Sequence, residues 1–248
     1  DKSLRIRYQA EALFIRAHYY YHLVQQFNDI PMPLKPTESV ETAAHKTNAD
    51  EVWKQIISDL EFAIDNLPES YPVSEYGHIT KYAAMHHLSR VLLTVKRSDD
   101  DLKKALDYVE QVINSGKYAL VKSHAELWDI NNKRNSEVIF PVLYTQNAEL
   151  NGDGNTAHMY FCSAYSEEHP AVKRVIEYGR PWSRERSTDY ALNLFDETID
   201  KRWEDCFISR WNVTENSVKE SIFSPFTKKM EEKVWTKGEL AMIDPKRP

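Results

Sequence analysis

His18 and His22 are the first residues of this sequence whose type and spacing could support chemistry. They stand four residues apart in a helical pattern, so both lie on one helix face, a spacing that can hold zinc. Tyr19 stands where the metalloprotease pattern HExxH has its glutamate base. His86 and His87 are adjacent and therefore point to different faces, which disfavours a shared metal. We expect packed or surface histidines here and no cofactor, and the sequence leaves open whether any metal binds.

The segment LNGDGNT carries alternating oxygen ligands, Asn151, Asp153 and Asn155, as the start of a calcium loop does. The twelfth position of an EF-hand loop is a bidentate glutamate, and here that position is Cys162. A glycine-rich turn is therefore the favoured interpretation, with a loosely held calcium ion as the alternative.

Cys162 and the pair Glu167 and Glu168 are the candidates for catalysis. Cys162 lies near His158 and His169 in sequence, but a catalytic Cys–His pair is defined in space, so a buried or incidental cysteine is favoured. Adjacent glutamates do not define the two opposed carboxylates of glycoside hydrolysis. No GxSxG, SxxK or glycine-rich phosphate loop occurs. We expect a binding protein and not an enzyme.

Aromatic residues outside helical periodicity are the remaining candidates. Flat rings in a loop can stack on the apolar faces of sugars while polar neighbours bond to the hydroxyl groups. The alternative is that most of these rings belong to the core. They are Tyr144, Tyr160, Phe161, Tyr165, Tyr178, Trp182 and Trp211.

Composition indicates a globular, mainly helical protein. The chain has 248 residues, of which 42% are hydrophobic, enough for a substantial core. It has 6 glycines, where average usage gives roughly 17. This shortage argues against a sandwich, a barrel or a nucleotide-binding turn. The formal net charge is −6 and no strongly basic face stands out, so we expect no nucleic-acid partner.

Targeting and redox signals are absent from the 248 residues. Cys162 and Cys206 are too few for a disulfide scaffold and too far apart for a CxxC pair. No run of 18 apolar residues and no signal-peptide pattern occurs. The sequence starts almost within a helix and stops without a closing element, from which we expect that both ends were trimmed.

Four helices are predicted in the first half, because apolar residues recur there at three- and four-residue steps. They run from residue 4 to about 27, from a cap at 48–50 to Pro68, from Thr80 to Val95, and from Ser98 or Asp99 to Gly116. Short links between helices of this length are typical of stacked helical hairpins. We predict a mainly α, tetratricopeptide-like array, although the consensus of that repeat is poorly kept.

Helical order ends near Tyr118 in the prediction. Residues 137–144 are β-branched and aromatic and predict a short strand edged by Pro141. Residues 147–186 have no sustained period and predict a long irregular region, which is more often functional than idle. A helix is predicted over 188–198, then a continuation or a short strand over 200–211. The remainder is ambiguous.

Several segments, taken in order, resemble the SusD/RagB family of surface lipoproteins. Residues 10–24, AEALFIRAHYYYHLV, with FNDIP after them, are similar to the family's "EARFLRAYYYFDLVRLFGDVPL". Residues 52–68 resemble its "DL-x-x-A-x-x-x-LP" helix, and GHITKYAA at 77–84 resembles its "GR-x-TK-x-AA" turn. Further matches are VINSGKYAL at 112–120, NSEVIF at 135–140 and DKRW at 200–203. The resemblance covers roughly residues 8–202, with His78 where the family often has arginine and Asn28 where it often has glycine.

The resemblance implies a single SusD-like domain over 1–248, with a helical portion at 4–117 and an irregular portion at 118–248 that carries the ligand loops. It implies capture of an oligosaccharide at the cell surface for a SusC-like TonB-dependent outer-membrane transporter. It also implies a lipid-bearing cysteine outside these residues as the only membrane attachment. Family ligand loops vary, so no ligand residue is carried over.

For the ligand contacts we predict Tyr165, Trp182 and Tyr160, with Arg180 or Asp153 as polar partners. A scaffold that binds peptides and, less favoured, a glycoside hydrolase are the alternatives.

Overall fold

The structure consists of two compact units, Asp1–Leu143 and the residues from Tyr144 onward. It is a computed structural model that describes all residues except 37, 41, 42, 146, 148, 150, 151, 153, 197, 209, 225 and 243–248. No helix in the described part of the chain combines the length and the apolar character needed to cross a membrane.

The first unit is built on four long helices, α1 to α4, each of which packs on the next in chain order, and α1 also contacts α3. The four predicted helices are confirmed, and their caps lie where the sequence places them. The helices are α1 (Lys2–Phe27), α2 (Ala49–Asn66), α3 (Lys81–Val95), α4 (Asp99–Asn114) and the short α5 (His124–Trp128), with a 3-10 turn at Val73–Glu75.

Side-chain caps begin the second, third and fourth helices. Asn48, Thr80 and Ser98 accept a hydrogen bond from a backbone N–H of the following turn, at 2.9, 3.1 and 3.3 Å. These bonds satisfy amide groups that have no partner within the helix. Local hydrogen bonds thereby set the residue at which each of these three helices begins.

The three consecutive tyrosines of α1 divide between the core and the surface. Tyr21 is buried, and its hydroxyl bonds to Thr94 Oγ1 at 3.1 Å. Tyr20 packs against the core and donates its hydroxyl proton to the Pro33 carbonyl at 3.0 Å. Tyr19 is 64% exposed. Tyr21 therefore belongs to the core face of α1 and Tyr19 to its exposed face.

An ion pair with one buried partner, Asp59, joins α1 to α2. Arg16 donates through Nε and Nη2 to the two carboxylate oxygens of Asp59, both at 2.7 Å. Asp59 is 3% exposed, and Gln55 donates a further bond to it at 2.8 Å. A carboxylate taken out of water is tolerated only with such partners.

The predicted strand at 137–144 is wrong. A strand needs a partner, and the described residues pair only as β1 with β4, β2 with β3, and the isolated bridge between Ile30 and Thr47. Ile139 and Phe140 pack against the helical core instead. The Phe140 ring lies edge-on to Phe14 with 5.3 Å between centroids. Residues 137–144 therefore have no regular secondary structure, and the side chains of Ile139 and Phe140 pack on the helices.

The second unit combines short helices with two small antiparallel sheets. Its helices are α6 (Ala157–Phe161), α7 (Tyr165–Glu168), α8 (Asp189–Asn193) and α9 (Arg202–Cys206), with a 3-10 turn at Ile176–Tyr178. The strands β1 (Arg210–Asn212) and β4 (Leu240–Met242) form one sheet, and β2 (Val218–Ser224) and β3 (Lys229–Trp235) form the other. The sequence left β2 and β3 ambiguous.

The helix predicted over 188–198 is shorter than expected. Thr188 caps it, but the helix ends at Asn193. Asp196 accepts a hydrogen bond from the Thr198 amide at 3.0 Å, a local turn that competes with helical bonding.

His87 is a buried histidine in α3 whose Nε2 has no hydrogen-bond partner among the described residues. Its ring lies 5.2 Å from those of His18 and Tyr21 and 5.6 Å from that of Phe14. Burial lowers the pKa of His87 to about 3, with further lowering by the charges that His18, His22, His86 and Arg90 would carry. The folded unit therefore keeps this ring neutral.

We expect Arg16→Ala to lower the free energy of unfolding by about 3 kcal/mol, because it leaves the Asp59 carboxylate buried without its countercharge. Replacing both partners, as in Arg16→Met with Asp59→Leu, should restore most of the loss. The matched control is Lys54→Ala, which breaks the exposed pair with Glu51 and should cost less than about 1 kcal/mol. Urea unfolding followed by circular dichroism measures all three, and equal losses for Arg16→Ala and Lys54→Ala would contradict the assignment.

We expect the stability of the protein to fall as the pH drops below about 6.5. The unfolded chain then takes up a proton at His87 that the folded chain refuses until about pH 3, at a cost of up to about 1.4 kcal/mol per pH unit. Above pH 7 both states are neutral at this residue and the effect is absent. His87→Phe should remove this part of the acid sensitivity and the control His45→Gln, at an exposed site, should keep it. Denaturant titrations between pH 4.5 and 7.5 give the free energy of unfolding at each pH. If that free energy depends on pH in His87→Phe as it does in the unmodified protein, the explanation is ruled out.

Candidate functional site

Tyr160 and Trp182 form an aromatic pair on the second unit. Their ring centroids are 5.2 Å apart at an interplanar angle of 84°, an edge-to-face contact. Both side chains are half-buried, so each ring is supported beneath and open to solvent on part of its surface. The two were predicted as ligand contacts, and the structure brings them together from positions 22 residues apart.

Backbone hydrogen bonds hold the pair in place. The Trp182 amide donates to the Met159 carbonyl at 2.9 Å. The amides of Arg184 and Glu185 donate to the Tyr160 carbonyl at 3.0 and 3.1 Å. The chain at 182–185 is thus tied to the end of α6, and the geometry of the rings does not depend on side-chain packing alone.

Two arginines flank the aromatic pair. The Arg180 guanidinium carbon lies 5.7 Å from the Trp182 ring centroid. That of Arg184 lies 5.4 Å from the Trp182 centroid and 5.8 Å from the Tyr160 centroid. These are cation–π distances, and a guanidinium over a ring keeps N–H donors free at its edge.

A groove of about 680 Å³ adjoins the pair at Arg180. It is lined by Arg174, Val175, Ile176, Gly179 and Arg180. Gly179 has φ 72° and ψ −173°, a conformation that in practice only glycine adopts. The turn that forms the groove therefore requires glycine at this position.

Ser183 lies between Trp182 and Arg184 with a positive φ of 46°. Its Oγ is buried and has no hydrogen-bond partner among the described residues. A non-glycine residue in this conformation is strained, and such residues cluster at ligand sites.

Tyr165 is not available to a ligand, and its prediction as a contact is wrong. It is 0% exposed, and its ring stacks on Trp211 with 4.4 Å between centroids. Its hydroxyl donates to the Gly179 carbonyl at 2.9 Å. Because a buried ring cannot stack on a sugar, Tyr165 serves instead as the support beneath the groove.

The other aromatic candidates divide in the same way. Trp211 is buried in the core of the second unit, and Tyr178 is half-buried against it. Phe161 and Tyr144 are 67% and 53% exposed, without a described contact to the Tyr160–Trp182 pair. Of the predicted contacts that the structure describes, Tyr160, Trp182 and Arg180 come together and Tyr165 does not.

Asp153, predicted as a polar partner, lies outside the described residues, as does Asn151 of the candidate calcium loop. Asn155 Oδ1 accepts a hydrogen bond from the Ala157 amide at 3.0 Å, ahead of α6. The Asn155 side chain therefore already serves a turn.

The residues considered for catalysis have structural partners. Burial raises the pKa of the Cys162 thiol, whose Sγ lies 3.5 Å from the Tyr178 carbonyl. Glu168 forms an ion pair with Arg186 at 3.3 Å. A thiol with a raised pKa is a poor nucleophile at neutral pH.

The histidines of α1 pack as rings. His18 and His22 have centroids 4.7 Å apart at an angle of 83°. In the described part of the chain, no three His, Cys, Asp or Glu side chains are grouped so that they could hold a metal ion.

Comparison with known proteins places the helical unit in a family. Residues 2–93 match the family model SusD-like_3, "Starch-binding associating with outer membrane". SusD-like protein P2 of Formosa agariphila is 31% identical over 70% of this chain and 33% of that protein. The chain is similar to SusD-like proteins. A laminarin-binding SusD-like protein of known structure is 30% identical, with a TM-score of 0.55 over 60% of this chain and 33% of that one.

A SusD superfamily protein from Bacteroides fragilis shares the fold over 98% of this SusD-like chain and 49% of its own, with a TM-score of 0.69 at 16% identity. The tetratricopeptide-like architecture predicted from the helical spacing is thereby confirmed. The chain spans between 25% and 33% of the length of the curated relatives it matches.

Arg184, Arg174 and Ser183 are site residues that were not predicted. A signal for the arginines was present in the sequence, since residues 173–186 hold five basic and two acidic residues in a chain of net charge −6. The conformation of Ser183 had no signal in its residue type.

We expect Tyr165→Phe to lower the stability of the protein by about 1–2 kcal/mol, because the Gly179 carbonyl loses its hydrogen-bond donor. The control is Tyr190→Phe, which removes the hydroxyl of a 75% exposed tyrosine and should be near neutral. Tryptophan fluorescence during urea unfolding reports on this region, since Trp211 stacks on Tyr165. Identical midpoints for the two variants would count against the supporting role.

Proposed function

We propose that this chain is part of a cell-surface protein that captures an oligosaccharide through the Tyr160–Trp182 pair. The observation that carries the proposal is this pair of half-buried rings, held by backbone bonds and flanked by Arg180. An aromatic face covers the apolar side of a sugar ring, and a guanidinium can donate to its hydroxyl groups. The groove of about 680 Å³ has the size of a small-ligand site.

The family supports the same role. The matching family model is described as starch-binding and outer-membrane associated, and a 30% identical relative is named as laminarin-binding. On this basis the protein acts at the outer membrane beside a SusC-like TonB-dependent transporter and hands the sugar to it. The two units then belong to a single SusD-like domain, and a lipid anchor outside these residues attaches it to the membrane.

The proposed action is binding without catalysis. A hand-over requires moderate affinity, because a ligand held too tightly would not be released. The aromatic pair and the flanking arginine give several weak contacts rather than one strong one.

We expect Trp182→Ala to weaken binding of the responsive oligosaccharide by about tenfold or more, since it removes the larger ring of the pair; a factor of ten is about 1.4 kcal/mol. Isothermal titration calorimetry of the full chain against a panel of neutral and charged oligosaccharides measures this. The matched control is Trp128→Ala, which removes a 72% exposed tryptophan of the first unit and should leave affinity unchanged.

An unchanged affinity in Trp182→Ala would place the sugar elsewhere. A blank glycan panel with recovery of defined peptides would favour the peptide-binding alternative, and turnover of a sugar would favour a hydrolase.

A further inference from the structure

The arginines around the aromatic pair lack the acidic partners that neighbouring arginines have. Arg186 pairs with Glu168 at 3.3 Å, and Arg202 pairs with Asp200 at 2.6 Å. No described carboxylate pairs with Arg174, Arg180 or Arg184. All three are exposed. Within the described residues, no ion pair therefore neutralises the charges of these three arginines.

Their placement concentrates this charge on the groove. Arg174 and Arg180 line it, and Arg180 and Arg184 lie over the Trp182 ring. Glu177 and Glu185, the acidic residues of the same segment, are exposed and form no ion pair among the described contacts. Residues 173–186 are thus locally basic within a chain of formal net charge −6.

A guanidinium stacked on a ring keeps N–H donors that bind an oxyanion more strongly than a neutral hydroxyl group. Its planar fork matches the two oxygens of a carboxylate or a sulfate, and such charged bonds are stronger than those to neutral hydroxyls. A neutral sugar would use the rings and leave two or three positive charges unmatched. An anionic sugar would use both.

We propose that the ligand of this site is an anionic oligosaccharide, bound with its sugar ring on Trp182 and Tyr160 and its carboxylate or sulfate groups on Arg180, Arg184 and Arg174. This inference rests on the proposed function and specifies its substrate class. Ring and charge act together, so a polyanion without sugar rings binds less well.

Calorimetry of the full chain against four probes tests the proposal: oligogalacturonate, a sulfated galactan oligosaccharide, a neutral β-glucan oligosaccharide and poly-L-glutamate. We expect at least one of the anionic sugars to bind tenfold or more tighter than the neutral sugar and the polypeptide. The preferred one of the two identifies the charged group. The preference should shrink as salt rises, because the charges are exposed.

Arg180→Gln combined with Arg184→Gln should abolish the preference, because the affinity for the anionic sugar should fall about tenfold or more beyond any loss of affinity for the neutral sugar. The control is Arg202→Gln. It removes one positive charge from an arginine that is paired with Asp200, and it should keep the preference. Circular dichroism and thermal unfolding of each variant report whether the fold is retained, which the exposure of these arginines leads us to expect.

The outcomes separate the two proposals. Equal binding of neutral and anionic sugars that Trp182→Ala weakens, with no effect of the arginine variants, overturns the anionic class and leaves the oligosaccharide function standing. Equal binding of poly-L-glutamate overturns the requirement for a sugar ring. Binding of none of the saccharides overturns both proposals.

Discussion

The Asp59 carboxylate lies between α1 and α2, where water does not reach it, and the packing of the first unit depends on how it is satisfied. Arg16 of α1 and Gln55 of α2 supply the donors, and the Arg16–Asp59 pair ties the rotation of α1 to that of α2. With that rotation set, Phe14 and Tyr21 face the core and Tyr19 faces outward. The same rule governs Tyr21 and Tyr20, whose hydroxyls bond to Thr94 and the Pro33 carbonyl.

In the second unit the corresponding constraint acts on Tyr165. A buried tyrosine needs an acceptor, and the carbonyl of Gly179 provides it at 2.9 Å. This bond connects the ring stack on Trp211 to the turn that lines the groove. The core of the second unit thereby determines the position of the candidate site. A support of this kind suits the proposed sugar site, since ordering a loose loop would consume binding free energy.

The division between scaffold and site agrees with the comparisons. The family model covers residues 2–93, which lie in the helical unit, while the aromatic pair and its arginines lie beyond it. A shared scaffold can carry different ligand loops, so the ligand must be argued from the loop itself. For this chain, the proposal about the ligand is based on Tyr160, Trp182 and the arginines that have no described ion-pair partner.

The sequence by itself determined the four long helices, their caps and the family, because apolar spacing, Asn48, Thr80 and Ser98 act locally. It also indicated Tyr160, Trp182 and Arg180 as site residues. Only the tertiary structure decided that Tyr165 is buried and that residues 137–144 cover helices instead of forming a strand. It also decided that Arg184 faces the rings. Burial, strand partners and ion pairs depend on residues far apart in the chain, and residue type alone does not specify which of them meet.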